Sequence, residues 1–236
     1  MQILNFPDED HHMHTFNFSD GADTIDGMVE YAGEIGLKVI TITDHSQAIL
    51  DFYRKKEGIM MPLSPRWIAK DYTTPYDNGV EVRFGLEADL IDETGRICDW
   101  VGNREYTNPE ERLILSAHKD AYQGDPRKVT QGLIKAIEKH HKRIIAIGHP
   151  CLITNFSDYM DIRELCKAAN DYGVPLEFNA KNFARKKINT DLTQLDRLFE
   201  HADQVMVNSD AHFKDALNTR MAAFKYLEDK GLFILE

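Results

Sequence analysis

Short runs of β-branched and other apolar residues alternate with longer amphipathic stretches along most of this chain. The apolar runs predict β-strands, with a first strand before His12 followed by strands at 39–43, 80–84, 113–116, 144–147, 174–178 and 205–207. Between them, a hydrophobic period typical of helices predicts α-helices over 24–35, 127–141, 161–172, 190–202 and 214–230. Strands that alternate with helices predict an α/β fold with a parallel sheet or barrel.

One segment interrupts this alternation. Between His45 and Gly79 lie roughly thirty residues with little helical pattern, and connections of that length are more often functional than ordinary ones. The segment carries aromatic and basic side chains, among them Tyr53, Trp67 and Tyr72. Two interpretations stay open with about equal weight: a lid or specificity loop over 46–79, or a surface excursion whose aromatic side chains pack on the barrel.

Composition limits the range of folds and partners. A chain of 236 residues with 42% hydrophobic content can bury one large core, so we predict a single domain spanning 1–236. Lys and Arg total 28 against 39 Asp and Glu, which gives a formal net charge of -11. This charge argues against binding to long nucleic acid or to an anionic membrane. It leaves acidic groups available to bind cations.

The cysteines and the N-terminal segment indicate the compartment. Cys98, Cys151 and Cys166 are odd in number and show no Cys-x-x-Cys spacing, so they predict neither a disulfide framework nor a zinc ribbon. The first ten residues lack the basic and apolar regions of a secretory signal, and no apolar run approaches the ~20 residues that a membrane span needs. We therefore expect a cytoplasmic protein. The oligomeric state is left open.

Six of the ten histidines lie in short polar runs that mostly follow the predicted strands. The runs, with a glutamate that follows a strand in the same way, are His12-Met13-His14, Thr43-Asp44-His45, Gly85-Leu86-Glu87, Ser116-Ala117-His118, Gly148-His149-Pro150 and Ser209-Asp210-Ala211-His212. Parallel strands end at the same edge of a sheet, so these side chains are expected to meet in one cavity.

The spacing within these runs favours metal ligation. Residues i and i+2 of a strand point to the same side, so the pair His12 and His14 can face one space, provided that the strand stays extended to its end. The same argument applies to Asp210 and His212. Imidazole and carboxylate together suit Zn, Mn or Fe, and a bridging carboxylate such as Glu87 can hold two cations about 3.5–4 Å apart. Asp44 is adjacent to His45 and should point the opposite way, so we predict that it accepts the free ring N–H of a ligand histidine and favour this role over direct ligation.

Each run also has a simpler explanation. Gly148-His149-Pro150 alone is usually a turn, and Asp210 before a helix can be an N-cap. The joint occurrence of the runs after successive strands, together with Ser19-Asp20-Gly21, favours ligation. The other histidines fit structural positions: His140, His141 and His201 at helix ends, and His11 facing away from the cluster.

In this order, these runs resemble the motifs of the PHP family, named for bacterial polymerases and histidinol phosphatases. The resemblance covers nearly the whole chain. It also includes Asp10-His11-His12-Met13-His14-Thr15, Gly85-Leu86-Glu87-Ala88-Asp89 and Leu176-Glu177-Phe178-Asn179. It implies a distorted (β/α)7 barrel with two or three divalent ions (Zn, Mn or Fe) at the carboxyl face of the strands.

The resemblance also implies how the ligands are divided. A first ion is expected on His12, His14, Glu87 and Asp210. A second ion is expected on Glu87, His118 and His149, and a third on Asp20, His45 and His212. No ligand position of the family is vacant in this chain.

The motifs are most similar to those of stand-alone PHP phosphatases and of the PHP module in bacterial family X DNA polymerases. Histidinol phosphatases match less well after Asn179, where this chain continues Ala180-Lys181-Asn182-Phe183-Ala184-Arg185. We interpret Lys181 and Arg185 as candidate phosphate-binding cations, although ordinary surface charges explain them about as well.

The function that this resemblance implies is metal-dependent hydrolysis of a phosphate ester. A hydroxide bridging the metals is the expected nucleophile, with Glu87, Asp210 and His212 as the catalytic residues. A small phosphorylated substrate is the first hypothesis. Two alternatives stay open: a phosphodiesterase or exonuclease acting on nucleotide ends, and a metal-binding module without turnover.

Overall fold

The computed structural model describes residues 1–57, 76–102, 112–185 and 187–234, apart from the side chains of 54, 56 and 57. Its strands are β1 (Gln2–Ile3), β2 (Glu9–Asp10), β3 (Val39–Ile42), β4 (Glu81–Leu90), β5 (Ile97–Cys98), β6 (Arg112–Ser116), β7 (Ile144–Ile147), β8 (Leu176–Asn179) and β9 (Gln204–Asn208). Its helices are α1 (Ile25–Glu34), α2 (Gln47–Glu57), α3 (Val129–His140), α4 (Ile162–Tyr172), α5 (Ala180–Phe183), α6 (Leu192–His201) and α7 (Thr219–Asp229).

The strands form one sheet in the order β1-β9-β8-β7-β6-β4-β3-β2, and neighbours along this order are parallel. Among the described strands, the short β5 alone pairs antiparallel, with the end of β4. The two edges of the sheet meet where the amide of Asp210 donates to the carbonyl of His12 at 2.8 Å and the amide of His14 donates to Ala211 at 2.8 Å. The sheet therefore curls into a distorted barrel, and the predicted α/β barrel class is confirmed.

Alternation along the strands decides which side chains face the barrel interior. In β4, Leu86, Ala88 and Leu90 belong to the core between the sheet and the helices. Glu87 pairs in register with Ile114, which forms a small interior cluster with Ala146 and Met206. Because side chains alternate across a strand, Glu87 also points into the barrel.

Two helices begin or end at residues that favour helix termini. Asp161 caps α4 by accepting from the amides of Arg163 and Glu164, and Gly173 ends that helix in the left-handed conformation. Asp191 caps α6 in the same way. The caps fix where α4 and α6 begin. The buried leucines of both helices pack on the outer face of the sheet.

Several predicted elements need correction. The predicted helix 214–230 is divided into a 3-10 segment, Lys214–Asn218, followed by α7. Strand β4 is much longer than predicted, and β1 and β5 were not predicted as separate strands. The segment 46–79, expected to have little helix, begins with α2, and its part from 58 to 75, with Trp67 and Tyr72, lies outside the described residues.

Within the described residues, no helix is both long and apolar enough to cross a membrane.

Candidate metal centre

The predicted ligand residues meet at the carboxyl ends of the strands. Glu87 lies near the end of β4, and the others lie on the turns that follow β2, β3, β6, β7 and β9. Neighbouring imidazole rings are close: the centroids of His14 and His45 are 4.2 Å apart, and those of His118 and His149 are 4.9 Å apart. Side chains from positions as far apart as 12 and 212 thus form one cluster.

Glu87 is fully buried at the centre of this cluster. Its Oε1 lies 3.4 Å from Nε2 of His12, 3.4 Å from Nε2 of His118 and 2.8 Å from Nε2 of His149. Its Oε2 lies 3.4 Å from Nε2 of His14 and 2.8 Å from Nδ1 of His45. Five imidazoles therefore surround one carboxylate, and histidine nitrogens face both of its oxygens, an arrangement that suits a carboxylate between two cations.

A second carboxylate, Asp20, stands at the more open side of the cavity. Its oxygens lie 3.6 Å from Nε2 of His45 and 3.4 Å from Nε2 of His212. Candidate ligand atoms within 4.8 Å of one another form three groups among the described residues: His12, His14 and Glu87; His45, Glu87 and His118; and His14, Asp20, His45 and His212. His45 thus stands in the group where His149 was expected, and His149 remains 2.8 Å from Glu87.

Asp210, which follows the last strand, lies beside two of the candidate ligand histidines. Its Oδ1 lies 3.3 Å from Nε2 of His14 and 3.4 Å from Nδ1 of His212, and its Oδ2 accepts from Asn179 at 3.0 Å. The expected reason for this position was wrong. Asp210 has φ +54 and lies in a turn, so the turn, not strand alternation, brings Asp210 and His212 to one cavity.

Two carboxylates that the sequence analysis did not assign stand behind the histidines. Glu177 Oε1 is 2.8 Å from Nδ1 of His12, and Asp89 Oδ1 is 2.7 Å from Nδ1 of His118. A carboxylate on Nδ1 sets the tautomer that leaves Nε2 free for a metal. A signal was present in the sequence, since Glu177 and Asp89 sit at alternating positions of strands whose other side faces the helices.

Asp44 was predicted to accept from the ring of a ligand histidine, and the structure shows it accepting from the amide of Thr15 at 2.6 Å and from the hydroxyl of Thr15 at 2.9 Å. These bonds hold the chain directly after His14. Ser116 donates to Glu87 Oε1 at 2.6 Å, so Glu87 is held from a neighbouring strand as well.

Small residues make this close packing possible. A side chain at Gly148 would collide with the hydroxyl of Ser116, which bonds Glu87, and one at Gly21 would collide with the backbone of His14 and Thr15. His149, which follows Gly148, has φ +31, which is unfavourable for a residue with a side chain. Such backbone conformations persist when the surrounding contacts hold them, and they concentrate at functional sites.

The cluster fits a metal ion because its buried polar atoms lack partners. Among the described residues, His12 Nε2, both ring nitrogens of His14, His45 Nδ1 and Glu87 Oε2 are buried without a hydrogen bond. His45 Nδ1 and Glu87 Oε2 lie 2.8 Å apart but out of hydrogen-bond alignment. Buried polar groups are normally paired, so this concentration of unpaired lone pairs indicates a place for cations.

The electrostatics of the cluster agree with this interpretation. Burial favours the neutral acid, but His118, His12 and His45 outweigh it and hold the pKa of Glu87 well below its usual value. Burial and repulsion from His45 and His212 lower the pKa of His14 well below its usual value. These directions favour Glu87 as a carboxylate and His14 as a neutral imidazole, the forms that bind metals. Burial lowers the pKa of His12, His45 and His118, but neighbouring carboxylates outweigh it and raise the pKa of all three, so metal binding at these rings would displace protons.

The two predicted phosphate-binding cations differ in position. Nζ of Lys181, on the short helix α5, lies 3.0 Å from Asp210 Oδ1 and 2.8 Å from His212 Nδ1. Its side chain is 11% exposed. Arg185 is exposed on the following loop, and none of its described contacts reaches the histidine cluster. The structure thus brings Lys181 to the cluster and leaves Arg185 outside it.

The histidines predicted to be structural lie outside the cluster. His11 contacts the hydroxyl of Thr41 through Nδ1 at 2.9 Å, and its Nε2 lies 3.6 Å from Glu9. His140 and His201 are the last residues of α3 and α6.

Comparisons with known proteins place this fold and site in a family. The model of the PHP domain matches residues 10–227. A protein named "Probable phosphatase" from Shewanella loihica is 27% identical over 224 residues, which cover 93% of this chain and 84% of that protein. Another "Probable phosphatase", from Proteus mirabilis, is 24% identical and covers 88% of this chain and 80% of its own length.

Solved structures share the fold. The histidinol phosphate phosphatase of Lactococcus lactis, crystallised with zinc, L-histidinol and phosphate, has a TM-score of 0.51 and 14% sequence identity, covering 92% of each chain. A structure from Listeria monocytogenes has a TM-score of 0.54 and 15% identity and covers 92% of this chain and 99% of its own. This chain belongs to the PHP domain family, as its motifs predicted.

Proposed function

We propose that this PHP-family enzyme hydrolyses phosphate monoesters of small molecules and depends on two or three divalent ions. The main support for metal dependence is the set of buried, unpaired imidazole and carboxylate atoms around Glu87. Proteins named as phosphatases match nearly the whole chain, which supports an enzyme of this class. The net charge of -11 supports a small substrate over a nucleic acid polymer.

The proposed ligands are His12, His14, Asp20, His45, Glu87, His118, His149, Asp210 and His212. Their imidazole and carboxylate groups suit Zn, Mn or Fe. Such ions, when bound, lower the pKa of water and neutralise charge on phosphoryl oxygens. Glu87 would bridge two of them, because both of its oxygens face histidine nitrogens.

The exposed side of the cluster marks the entry for the substrate. His12, His14 and Glu87 are fully buried, whereas the side chains of Asp20 and His212 are 23% and 25% exposed. Lys181 stands beside His212 on this side. We therefore assign Lys181 to bind the phosphate as a cation, with Asp210 and His212 next to the reacting group. Arg185 stays a weaker candidate, since the described contacts of the cluster do not include it.

A matched pair of substrates tests the proposal. Metal-stripped protein would be loaded with Zn²⁺ or Mn²⁺ and assayed with p-nitrophenyl phosphate, a monoester, and with bis-p-nitrophenyl phosphate, a diester. We expect metal-dependent release of p-nitrophenol from the monoester in preference to the diester. A preference for the diester, or for labelled single-stranded DNA, would favour the phosphodiesterase alternative. Metal binding without turnover of any of these substrates would favour a binding module.

A further inference from the structure

Arg220 is the largest fully buried side chain among the described residues, at 2% exposure. It lies in the first turn of α7, well after the last proposed ligand, His212. Its Nη1 donates to the carbonyls of Pro7 and Glu9, each at 2.8 Å, and its Nε donates to Leu217 at 3.1 Å. One guanidinium thus joins the segment around β2 to the chain that follows β9.

The same guanidinium pairs with a buried carboxylate. Nε of Arg220 lies 3.3 Å from Oδ2 of Asp10, and both side chains are almost completely buried. This contact is an ion pair without a hydrogen bond, because Oδ2 of Asp10 accepts none among the described residues and Nε of Arg220 donates to Leu217. The buried charges offset each other, and backbone carbonyls supply the hydrogen bonds of the guanidinium. The pair therefore has a defined geometry at the seam where the barrel closes.

The other oxygen of Asp10 faces the chain that carries the proposed ligands. Oδ1 accepts from the amide of Ser209 at 3.1 Å and from the amide of His12 at 3.3 Å. The hydroxyl of Ser209 donates in turn to the carbonyl of His12 at 3.3 Å. Asp10 therefore links the backbone at His12 to the residue before Asp210.

This link acts where the backbone is least favourable. Asp210 has φ +54, a left-handed conformation that a residue with a side chain adopts only when its surroundings hold it. The hydrogen bonds from the amide of Ser209 to Asp10 and from the amide of Asp210 to the carbonyl of His12 are among the contacts that hold this turn. Without them the chain is expected to relax, and the carboxylate of Asp210 would move away from His14.

We infer that Asp10 and Arg220 form a positioning pair that holds His12 and Asp210 in the geometry required for metal binding. The inference rests on the proposed metal-dependent function. Neither residue touches metal or substrate; they act through the backbone of the ligands. Outer partners of metal ligands typically change affinity by about 10- to 100-fold when they are altered.

Asp10→Asn is the informative substitution. The amide keeps the size of the carboxyl group but replaces one accepting oxygen by a donating NH₂ group. If its oxygen faces the amides of His12 and Ser209, its NH₂ group faces the guanidinium of Arg220; if it flips, the NH₂ group faces those two amides. Either orientation places donor against donor, so the pair cannot keep both sides of its network.

The test measures the affinity of metal-stripped protein for Zn²⁺ by competition with a chromophoric chelator, together with the absorption spectrum of the Co²⁺-loaded protein. We expect Asp10→Asn to weaken Zn²⁺ binding about tenfold or more and to change the Co²⁺ spectrum. Arg220→Lys, which keeps the charge but loses the fork of donors, should weaken it in the same direction. This second variant also serves if Asp10→Asn does not fold.

Asp99→Asn is the matched control, because it breaks the partly buried ion pair of Asp99 with Arg143, at 2.7 Å, and no described contact of this pair reaches a candidate ligand. It should leave Zn²⁺ affinity unchanged. If Asp10→Asn and Arg220→Lys lower only the melting temperature of the metal-free protein, with Zn²⁺ affinity and Co²⁺ spectrum unchanged, the pair is merely structural and the inference is overturned. A wild-type protein that binds Zn²⁺ but hydrolyses no monoester would overturn the proposed function and leave this comparison intact.

Discussion

Glu177 lies 2.8 Å from Nδ1 of His12, although 165 residues separate the two in the chain. The same carboxylate accepts from the amide of His149 at 2.9 Å and from Asn208 at 3.0 Å. Burial opposes ionisation of Glu177, but the neighbouring His12 outweighs it and lowers the pKa of Glu177. A buried, ionised carboxylate on β8 thus orients two of the proposed metal ligands, which follow β2 and β7.

Glu177→Gln should therefore weaken metal binding without removing a ligand. The amide replaces one oxygen by an NH₂ group, which faces either His12 and Asn208, at the position of Oε1, or the amide of His149, at the position of Oε2. In either orientation at least one donor of the network loses its acceptor. We expect about a 10- to 100-fold lower affinity for Zn²⁺, measured by chelator competition. The control Glu138→Gln changes an exposed glutamate of α3 and should have no effect. Equal affinities for both variants would remove Glu177 from the site.

Glu87→Gln should lower turnover at least a hundredfold while the fold stays intact. The amide keeps the shape of the side chain but loses the charge that faces five histidines, and the loss falls on the metal pair. Steady-state kinetics, metal analysis and circular dichroism provide the measurements. Glu81→Gln, on the same strand but at the surface, is the control. Near-normal turnover with full metal occupancy in Glu87→Gln would show that Glu87 does not bridge.

Removing metal should abolish phosphatase activity and lower the melting temperature. Ions that bind only the native state stabilise it by mass action. Here they would also give partners to the buried, unpaired imidazole and carboxylate atoms around Glu87. Calorimetry before and after EDTA treatment and dialysis measures the shift, and added Zn²⁺ or Mn²⁺ should reverse it. Activity that survives exhaustive chelation would contradict the metal-dependent mechanism.

Lys181→Ala should raise KM for a phosphate monoester about tenfold and leave metal content unchanged, because the ammonium is proposed to bind phosphate and not metal. Kinetics and metal analysis of the same preparation separate these effects. Lys187→Ala, an exposed lysine beyond the same helix, is the matched control. A loss of metal in Lys181→Ala, with KM unchanged, would assign Lys181 to the support of Asp210 and His212 instead.

The metal-free protein should lose stability as pH rises above 9, partly through Cys166. Burial raises the pKa of this thiol from 9.0 to about 12, so the unfolded chain releases its proton at lower pH than the folded chain. Between these values the unfolded state binds fewer protons, and the free energy of unfolding falls by at most about 1.4 kcal/mol per pH unit. Urea unfolding at pH 8 and pH 10.5 should show a smaller loss for Cys166→Ala than for the wild type. Equal losses would exclude this thiol as a source.

The sequence determined the fold class and most of the elements, for a local reason. Apolar runs with a period of two and stretches with a helical period are set by neighbouring residues, and they placed β3, β6, β7, β8 and β9 within a few residues. They missed β5 and most of the second half of β4. The element boundaries and the divided helix at 214–229 depended on tertiary contacts such as those of Arg220, which local patterns do not contain.

The sequence also determined which residues are candidates for ligation, since histidines and carboxylates follow successive strands that end at one edge. Only the tertiary structure decided how they pair. The left-handed turn at Asp210, the carboxylates of Glu177 and Asp89 behind the histidines, and the position of His45 beside Glu87 come from contacts between distant strands. Such contacts depend on barrel closure, which brings residues 12 and 210 together, and no local pattern specifies the distances that closure creates.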